Sequence, residues 1–416
     1  MITLGSSAAW HSPMTLADAD RLRHLHVIGS TGTGKTTLLR NLVLQDVLAD
    51  RGVGVIDPHG DLIDDLLDLI PPYRTNDVVL LDPSDSEHPP TLNLLAGINP
   101  TQRHLAVSGV VGSLKAIWRD SWGPRLEHLL GNAVAALVEA EGQSLLGVSR
   151  LFTDAAYRRR VVGQVKDPIV RSFWENEVAG YDKRFLSEAA APIQNKIGQL
   201  LLSPPVRNTL GQSRRKIDFR HVVDAGQILL VRLPRGRLGS DKAALLGSLL
   251  IGQIELAALS RSDLPEGRRR PFHLHVDEFH TFTTDAFASM LAEVRKYGLG
   301  LTLAHQYLGQ LAPPVRDAVF GSVGSTLCFR VGADDAEAMS RQFGGDLSAS
   351  TLTGLHRHEA AARLMADGHP LKATGMVTHD LNGRTWGRGR LVRRCSRSRF
   401  TGRRSAVERR IARWLT

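Results

Sequence analysis

The chain has 416 residues, 42% of them hydrophobic and 23% charged, which is the balance of a soluble globular protein with room for two or three domains. Two widely separated cysteines, Cys328 and Cys395, exclude a disulfide framework and a clustered zinc site, and the first twenty residues lack the basic leader and apolar block of a signal peptide. The net charge of +10 is unevenly placed: Arg384 to Thr416 holds twelve arginines against Glu408 alone, so this segment carries +11 and the rest of the chain about −1.

Residues 1–20 give little beyond an acidic, helix-like Leu16–Asp20. A short apolar run, Leu25–Ile28, then feeds G-S-T-G-T-G-K-T at Gly29–Thr36, followed by a helix that begins with Thr37-Leu38-Leu39. Strand, glycine-rich turn and helix together make a P-loop. Its backbone N–H groups can wrap phosphate oxygens, and the helix N-terminus favours negative charge. The nucleotide-binding residues expected on this basis are Gly29, Ser30, Thr31, Gly32, Thr33, Gly34, Lys35, Thr36 and Thr37, with Lys35 on the β- and γ-phosphates and the Thr36 hydroxyl on Mg2+.

Val53–Asp57 reads as a buried strand next to the P-loop strand, ending in D-P-H-G-D. Asp57 and Asp61 fit either a ligand crevice at the strand ends or simple turn and cap chemistry. A helix over 62–70 and a strand over 77–82 follow. From about Thr101 to Arg215 strand signals vanish and apolar residues recur at helical spacing, as in Leu126, Leu129, Leu130, Ala133, Val134 and Leu137. This predicts an inserted all-helical domain. The expected division is an N-terminal segment 1–20, an α/β domain in two parts at 21–100 and 216–383 around the helical 101–215, and a tail 384–416.

The strand pattern returns at 226–233, before a long helix whose apolar stretch Ala243–Leu259 is interrupted by Gln253 and Glu255 and so reads as a core helix, not a membrane span. Phe272, Leu274 and Val276 alternate with His273, His275 and Asp277, the pattern of a strand with two different faces, and end in the pair Asp277-Glu278. Paired acids there match a Walker B motif: Asp277 on Mg2+ through water, Glu278 polarising the attacking water. His273, His275 and His280 lack a coherent acceptor set and are read as structural or site-lining. A helix over 286–297 leads to the strand 300–304 and Gln306, the position of a γ-phosphate sensor. After the strand 325–329, Arg330, and with less support Arg316, are candidates for an arginine finger.

The set G-S-T-G-T-G-K-T, D-P-H-G-D, W-G-P-R-L-E-H, L-P-R-G-R-L-G, V-D-E-F, L-A-H-Q-Y and F-R-V-G-A-D-D-A-E resembles the conjugative coupling-protein ATPases of type IV secretion (TraD/TraG type), within the HerA/FtsK class of DNA-pumping motors. The resemblance runs from about Arg21 to Ala373. It implies a RecA-like P-loop fold, an α/β class with a mainly parallel sheet, an inserted all-α domain, a hexameric ring around DNA, ATP and Mg2+ between subunits, and a relaxase with secretion-channel proteins, or a nuclease, as partners. Lys35, Glu278 and Gln306 would then act in one subunit, and Arg330 or Arg316 on a neighbour's nucleotide. Two alternatives to a conjugative DNA translocase stay open: a HerA-like processing motor working with a nuclease, and a nucleotide-gated receptor that does not pump. Membrane-bound members often start with transmembrane helices, whereas here the P-loop begins at residue 29 with none ahead of it. The expected location is therefore the cytoplasm, or the inner face of the membrane through a partner. In the tail, Ser405 and Glu408 have capping-box spacing, and Val407, Ile411 and Trp414 share one helix face.

Overall fold

The computed structural model describes residues 1–379 and 384–415. The boundary expected at Gly383, and the last residue, Thr416, lie outside them. The chain divides into two units. The first comprises Met1–Leu80, Arg220–Leu233 and Ala257–Ser396; the second comprises Leu81–Phe219, Pro234–Leu256 and Arg397–Thr416.

The first unit carries an eleven-stranded sheet. Its strands are β1 (Ile2–Ser7), β2 (Pro13–Leu16), β3 (Leu25–Ile28), β4 (Gly52–Asp57), β5 (Val78–Leu81), β6 (Ile228–Arg232), β7 (Phe272–Val276), β8 (Leu299–His305), β9 (Ser325–Cys328), β10 (Glu359–Arg363) and β13 (Thr374–Val377), while β11 (Met365–Ala366) and β12 (His369–Pro370) form a separate ribbon. The order is β2-β1-β13-β10-β9-β3-β8-β7-β4-β6-β5. From β9 to β6 the pairing is parallel; β10, β13, β1 and β2 extend it antiparallel. The parallel strands are buried on both faces, as sheets covered by crossover helices must be. This corrects the two-faced reading of β7: His273 and His275 are as buried as Phe272 and Leu274. Burial depresses His273 to about 3 and also lowers His275, which keeps both imidazoles neutral.

Three further expectations change. Val53–Asp57 does not lie beside the P-loop strand, because β8 and β7 come between β3 and β4. The helix-like Leu16–Asp20 is displaced: Pro13–Leu16 pairs with β1 as an antiparallel hairpin of the sheet and leaves only Asp18–Arg21 for a helix. The expected helix over 286–297 is α-helical only at Phe287–Glu293 and tightens to a 3₁₀ turn at Val294–Tyr297.

The helix Lys35–Leu48 buries Leu38, Leu39, Leu42, Val43 and Val47 in the main core with Val27, Val55 and Leu327. A buried ion pair anchors its far end: Arg21 donates from both terminal nitrogens to the Asp46 carboxylate, at 2.8 and 2.6 Å. Removal of both charges from water is offset here by bidentate geometry.

The second unit is helical. Its longer helices are Arg103–Ile117, Pro124–Glu139 and Lys183–Leu202. W-G-P-R-L-E-H has a local explanation: Pro124 opens the helix, and Glu127 in its first turn accepts from Trp122 Nε1 at 2.7 Å and Lys115 Nζ at 3.1 Å. The basic tail is folded into two helices. Helix Gly389–Phe400 reaches Ser396 within the first unit, where Val392 is fully buried and Ser396 Oγ accepts from Leu80 N. Helix Arg404–Leu415 packs Val407 and Ile411 on Leu146 in the second unit, with Leu201 and Trp414 alongside. Ser405 falls inside that helix and does not cap it; Glu408 instead accepts from Arg404 Nε and Asn208 Nδ2. Among the described residues one helical stretch, Ser240–Asp263, is long and apolar enough for a bilayer, and 67% of its apolar window is buried in the protein.

Candidate functional site

The sheet order brings three motifs to one edge. β3, β8 and β7 are parallel neighbours, so the P-loop, Gln306 and Asp277-Glu278 all leave the carboxyl ends of adjacent strands, the edge where open α/β sheets hold ligands.

The P-loop depends on its glycines. Gly32 and Gly34 have φ of +77° and +122°, which side chains rarely adopt, and a Cβ on Gly29 would lie 2.5 Å from Phe329 Cβ. Ser30 N–H donates to the Arg330 carbonyl at 2.8 Å, and Thr33 Oγ1 donates to the Ser30 carbonyl at 2.8 Å. Lys35 opens the following helix and turns its ammonium back onto the Gly29 and Ser30 carbonyls, the latter at 3.0 Å. Burial lowers the Lys35 pKa, while Glu278 and Asp277 draw it back up. Thr36 is exposed at the helix start.

Asp277 N–H donates to the Ile56 carbonyl, and Asp277 Oδ1 accepts from Glu278 N–H at 3.0 Å. Burial, then the charges of Glu278 and Asp57, push the Asp277 carboxyl up to about 6 against the pull of Lys35 and His59. Glu278 is left-handed, with φ of +47°, an uncommon conformation that turns its side chain out of the strand direction. Its Oε1 accepts from Gln306 Nε2 at 2.7 Å, and Gln306 Oε1 accepts from Thr31 Oγ1 at 3.0 Å. Glu278 Oε2 is buried without a hydrogen-bond partner, 3.4 Å from His280 Nδ1.

Thr31, Lys35, Asp277, Glu278 and Gln306 therefore form one cluster. Arg330 meets the P-loop through its backbone and its side chain is exposed; Arg316 is exposed beside Asp317. Among the described residues, no hydrogen bond joins either guanidinium to the cluster. Asp57 does the turn work, accepting from His59 N at 2.8 Å and Ile63 N at 3.3 Å, and its charge also reaches Asp277. Sequence reasoning missed Gln310, whose Oε1 accepts from the N–H groups of Gln306 and Tyr307 at 2.9 and 3.2 Å, and Asp335, which accepts from Leu308 N. The Tyr307 to Gln310 capping-box spacing was a usable signal for the first; the second stood within F-R-V-G-A-D-D-A-E with no role assigned to it.

The donor set fits a magnesium nucleotide. An ammonium hydrogen-bonded only to carbonyls, a buried carboxyl crowded by Glu278 and Asp57, and a buried carboxylate oxygen without a hydrogen-bond partner are groups that a phosphate and a cation would satisfy.

The family profile described as the central domain of helicase HerA matches residues 10–113. Over 351 residues the chain is 23% identical to the type 4 coupling protein DotL of Legionella pneumophila, covering 70% of this chain and 45% of DotL. The conjugative coupling protein TrwBΔN70, unbound, superposes with a TM-score of 0.64 at 16% identity over 92% of this chain and 90% of that one. The chain is similar to type IV coupling proteins and shares their fold. Its RecA-like P-loop fold is shared with TrwB in complex with ADP and Mg2+ (TM-score 0.63, 18% identity, 92% and 91% covered) and with VirB4 of Thermoanaerobacter pseudethanolicus (0.55, 15%, 91% and 96%). The chain spans less than half the length of DotL.

Proposed function

We propose that the protein is an ATP-driven DNA translocase serving conjugative transfer or type IV secretion, assembled as a homo-oligomeric, hexameric ring. The observation that carries this reading is the hydrogen-bonded path Thr31–Gln306–Glu278, which joins the phosphate loop to a buried carboxylate through a strand-end amide. Such a path lets occupancy of the P-loop alter the carboxylate, as a motor needs; a passive nucleotide store does not.

In this proposal the P-loop N–H groups from Gly29 to Thr37 hold the phosphates, and Lys35 leaves its two carbonyls for the β- and γ-phosphate oxygens. Thr36 and, through water, Asp277 hold Mg2+, which supplies charge neutralisation at the transferring phosphoryl group. Glu278 orients and polarises the attacking water, and Gln306 senses the γ-phosphate by exchanging its bond to Glu278 for one to phosphate. Arg330 or Arg316, both exposed and outside the cluster, are the candidates to complete a neighbouring subunit's site. A relaxase and channel proteins are the proposed partners, at the cytoplasmic face of the membrane. The HerA central-domain match supports a second reading, a DNA-processing motor acting with a nuclease.

DNA-stimulated hydrolysis is the test. ATP turnover is expected to rise on adding single- or double-stranded DNA at low salt; a rate indifferent to both across a salt range overturns the motor reading and leaves a nucleotide-gated receptor.

A further inference from the structure

The P-loop is braced by a residue outside every motif above. His358 N–H donates to the Thr33 carbonyl at 2.8 Å. Its own carbonyl accepts from Thr378 N at 2.8 Å and Thr378 Oγ1 at 3.1 Å. Chain neighbours fix its place: Glu359 begins β10, and Thr378 follows β13, strands paired antiparallel from Glu359 opposite Val377. His358 thus ties the P-loop to the antiparallel part of the sheet.

Two features mark this contact as more than a loop crossing. His358 has φ of +69°, a left-handed conformation with a steric cost for any residue bearing a Cβ. Its Nδ1 is buried with no hydrogen-bond partner, and a Cβ added to Gly34 would lie 2.9 Å from it. The ring is pressed against the loop's last glycine at the expense of its own hydrogen bonding. Such local cost persists where the surrounding structure over-determines it, and it clusters at functional sites.

Peptide geometry supplies the consequence. In a trans peptide the C=O of Thr33 and the N–H of Gly34 point in opposite directions. A carbonyl held outward by His358 turns the Gly34 N–H away from His358, to the other side of the loop. The Arg330 carbonyl does the matching job at the loop's start, where it fixes the Ser30 N–H and leaves the Gly29 carbonyl for Lys35.

We propose that His358 is a positioning residue for the nucleotide: its main-chain N–H presets the Thr33–Gly34 peptide so that Gly34 N–H faces the triphosphate before it arrives. The proposal rests on the nucleotide-binding reading of the P-loop. Preorganisation of this kind strengthens binding by removing the cost of ordering the loop.

The test uses the full chain with ATP and Mg2+, with affinity by calorimetry and steady-state KM and kcat alongside. His358→Gly and His358→Asn keep the N–H and tolerate positive φ, so both are expected within about threefold of wild-type affinity. His358→Pro deletes the N–H and forbids the conformation; the expected loss is about tenfold, the worth of one hydrogen bond with its ordering effect. The loss should fall on KM with kcat retained, whereas partial unfolding lowers kcat per total protein and leaves KM alone. Thr378→Val, which removes only the hydroxyl behind His358, covers the case in which the proline variant does not fold, and it should also raise KM. Wild-type affinity in a folded His358→Pro, or in Thr378→Val if the former is unfolded, overturns the proposal while the P-loop reading stands. A wild-type protein that fails to bind ATP overturns both.

Discussion

Gln306 donates its side-chain N–H to Glu278 Oε1 at 2.7 Å while its carbonyl oxygen accepts from Thr31 on the P-loop at 3.0 Å. One amide thus spans the phosphate loop and the carboxylate proposed to activate water. Glu278→Gln keeps the shape of the site and removes the polarising charge. It should bind ATP as wild type does and lose turnover by about two orders of magnitude or more. Gln306→Ala frees Glu278 and breaks the link to Thr31, and single-turnover measurements should find hydrolysis slowed with nucleotide affinity little changed. Normal hydrolysis in Glu278→Gln removes Glu278 from its assigned role.

Asp277 gives a pH dependence. Its ordinary value is 3.8, and burial beside Glu278 and Asp57 raises it to about 6. The ionised form is the one that attracts Mg2+, so kcat/KM for magnesium-ATP should fall as pH drops through about 6. The same shift bears on stability. A carboxyl whose folded pKa exceeds its unfolded value contributes stability that is fully present below about 4 and is lost as pH rises through about 6. At pH 7.5 the ionised Asp277 then destabilises the nucleotide-free protein by an amount on the order of 2–3 kcal/mol. Asp277→Asn should accordingly melt at a higher temperature than wild type without nucleotide, and lose Mg2+-dependent turnover. Equal melting temperatures at pH 7.5 count against the buried, charge-crowded position.

Much of this cluster was legible because it is written in short spacings. A P-loop is eight residues with a strand before and a helix after, and β7 and β8 each end in the residues that matter. Strand order was not legible, since pairing is decided by contacts distant in sequence: β3 lies between β8 and β9, which begin more than 270 residues later. The hairpin of residues 2–16 and the strand Glu359–Arg363 are short, and Ala360, Ala361 and Ala362 carry no strong strand preference, so their place depends on neighbours. The tail was legible in part: the shared face of Val407, Ile411 and Trp414 does pack, on Leu146, whereas the burial of Val392 depends on contacts distant in sequence.

Asp46 tests how the P-loop helix is anchored. Burial alone would raise its pKa, but the hydrogen bonds and charge of Arg21, with His275 Nε2 3.8 Å away, outweigh that and hold the carboxyl well below its ordinary value. Its stabilisation is therefore present above pH 3.8 and is lost as pH falls toward the depressed folded value. Asp46→Asn leaves the Arg21 guanidinium, only 6% exposed, without its full counter-charge, at a cost of about 3–5 kcal/mol. Chemical denaturation at pH 7 should show that loss. A stability within 1 kcal/mol of wild type, about the size of one ordinary hydrogen bond, would mean the pair is not the anchor.

A test of whether the basic tail binds DNA has to leave its helices folded. Deleting Arg384 to Thr416 would uncover the partners of Val392, Val407 and Ile411, so any lost affinity would confuse charge with folding. Arg404 is unsuitable too, because it pairs with Glu87 and Glu408. Arg403 and Arg409 are exposed, and among the described residues their side chains take no hydrogen-bond or ion-pair partner. If they neutralise phosphates, replacing both with Gln should reduce the slope of log K against log salt by about 2, since each phosphate contact contributes roughly 0.9 on duplex DNA. Fluorescence anisotropy with a labelled duplex over a potassium chloride series measures that slope, and circular dichroism checks that the helix Arg404–Leu415 is intact. A slope equal to wild type assigns these arginines to solvation, and the helix to packing on Leu146 and its neighbours.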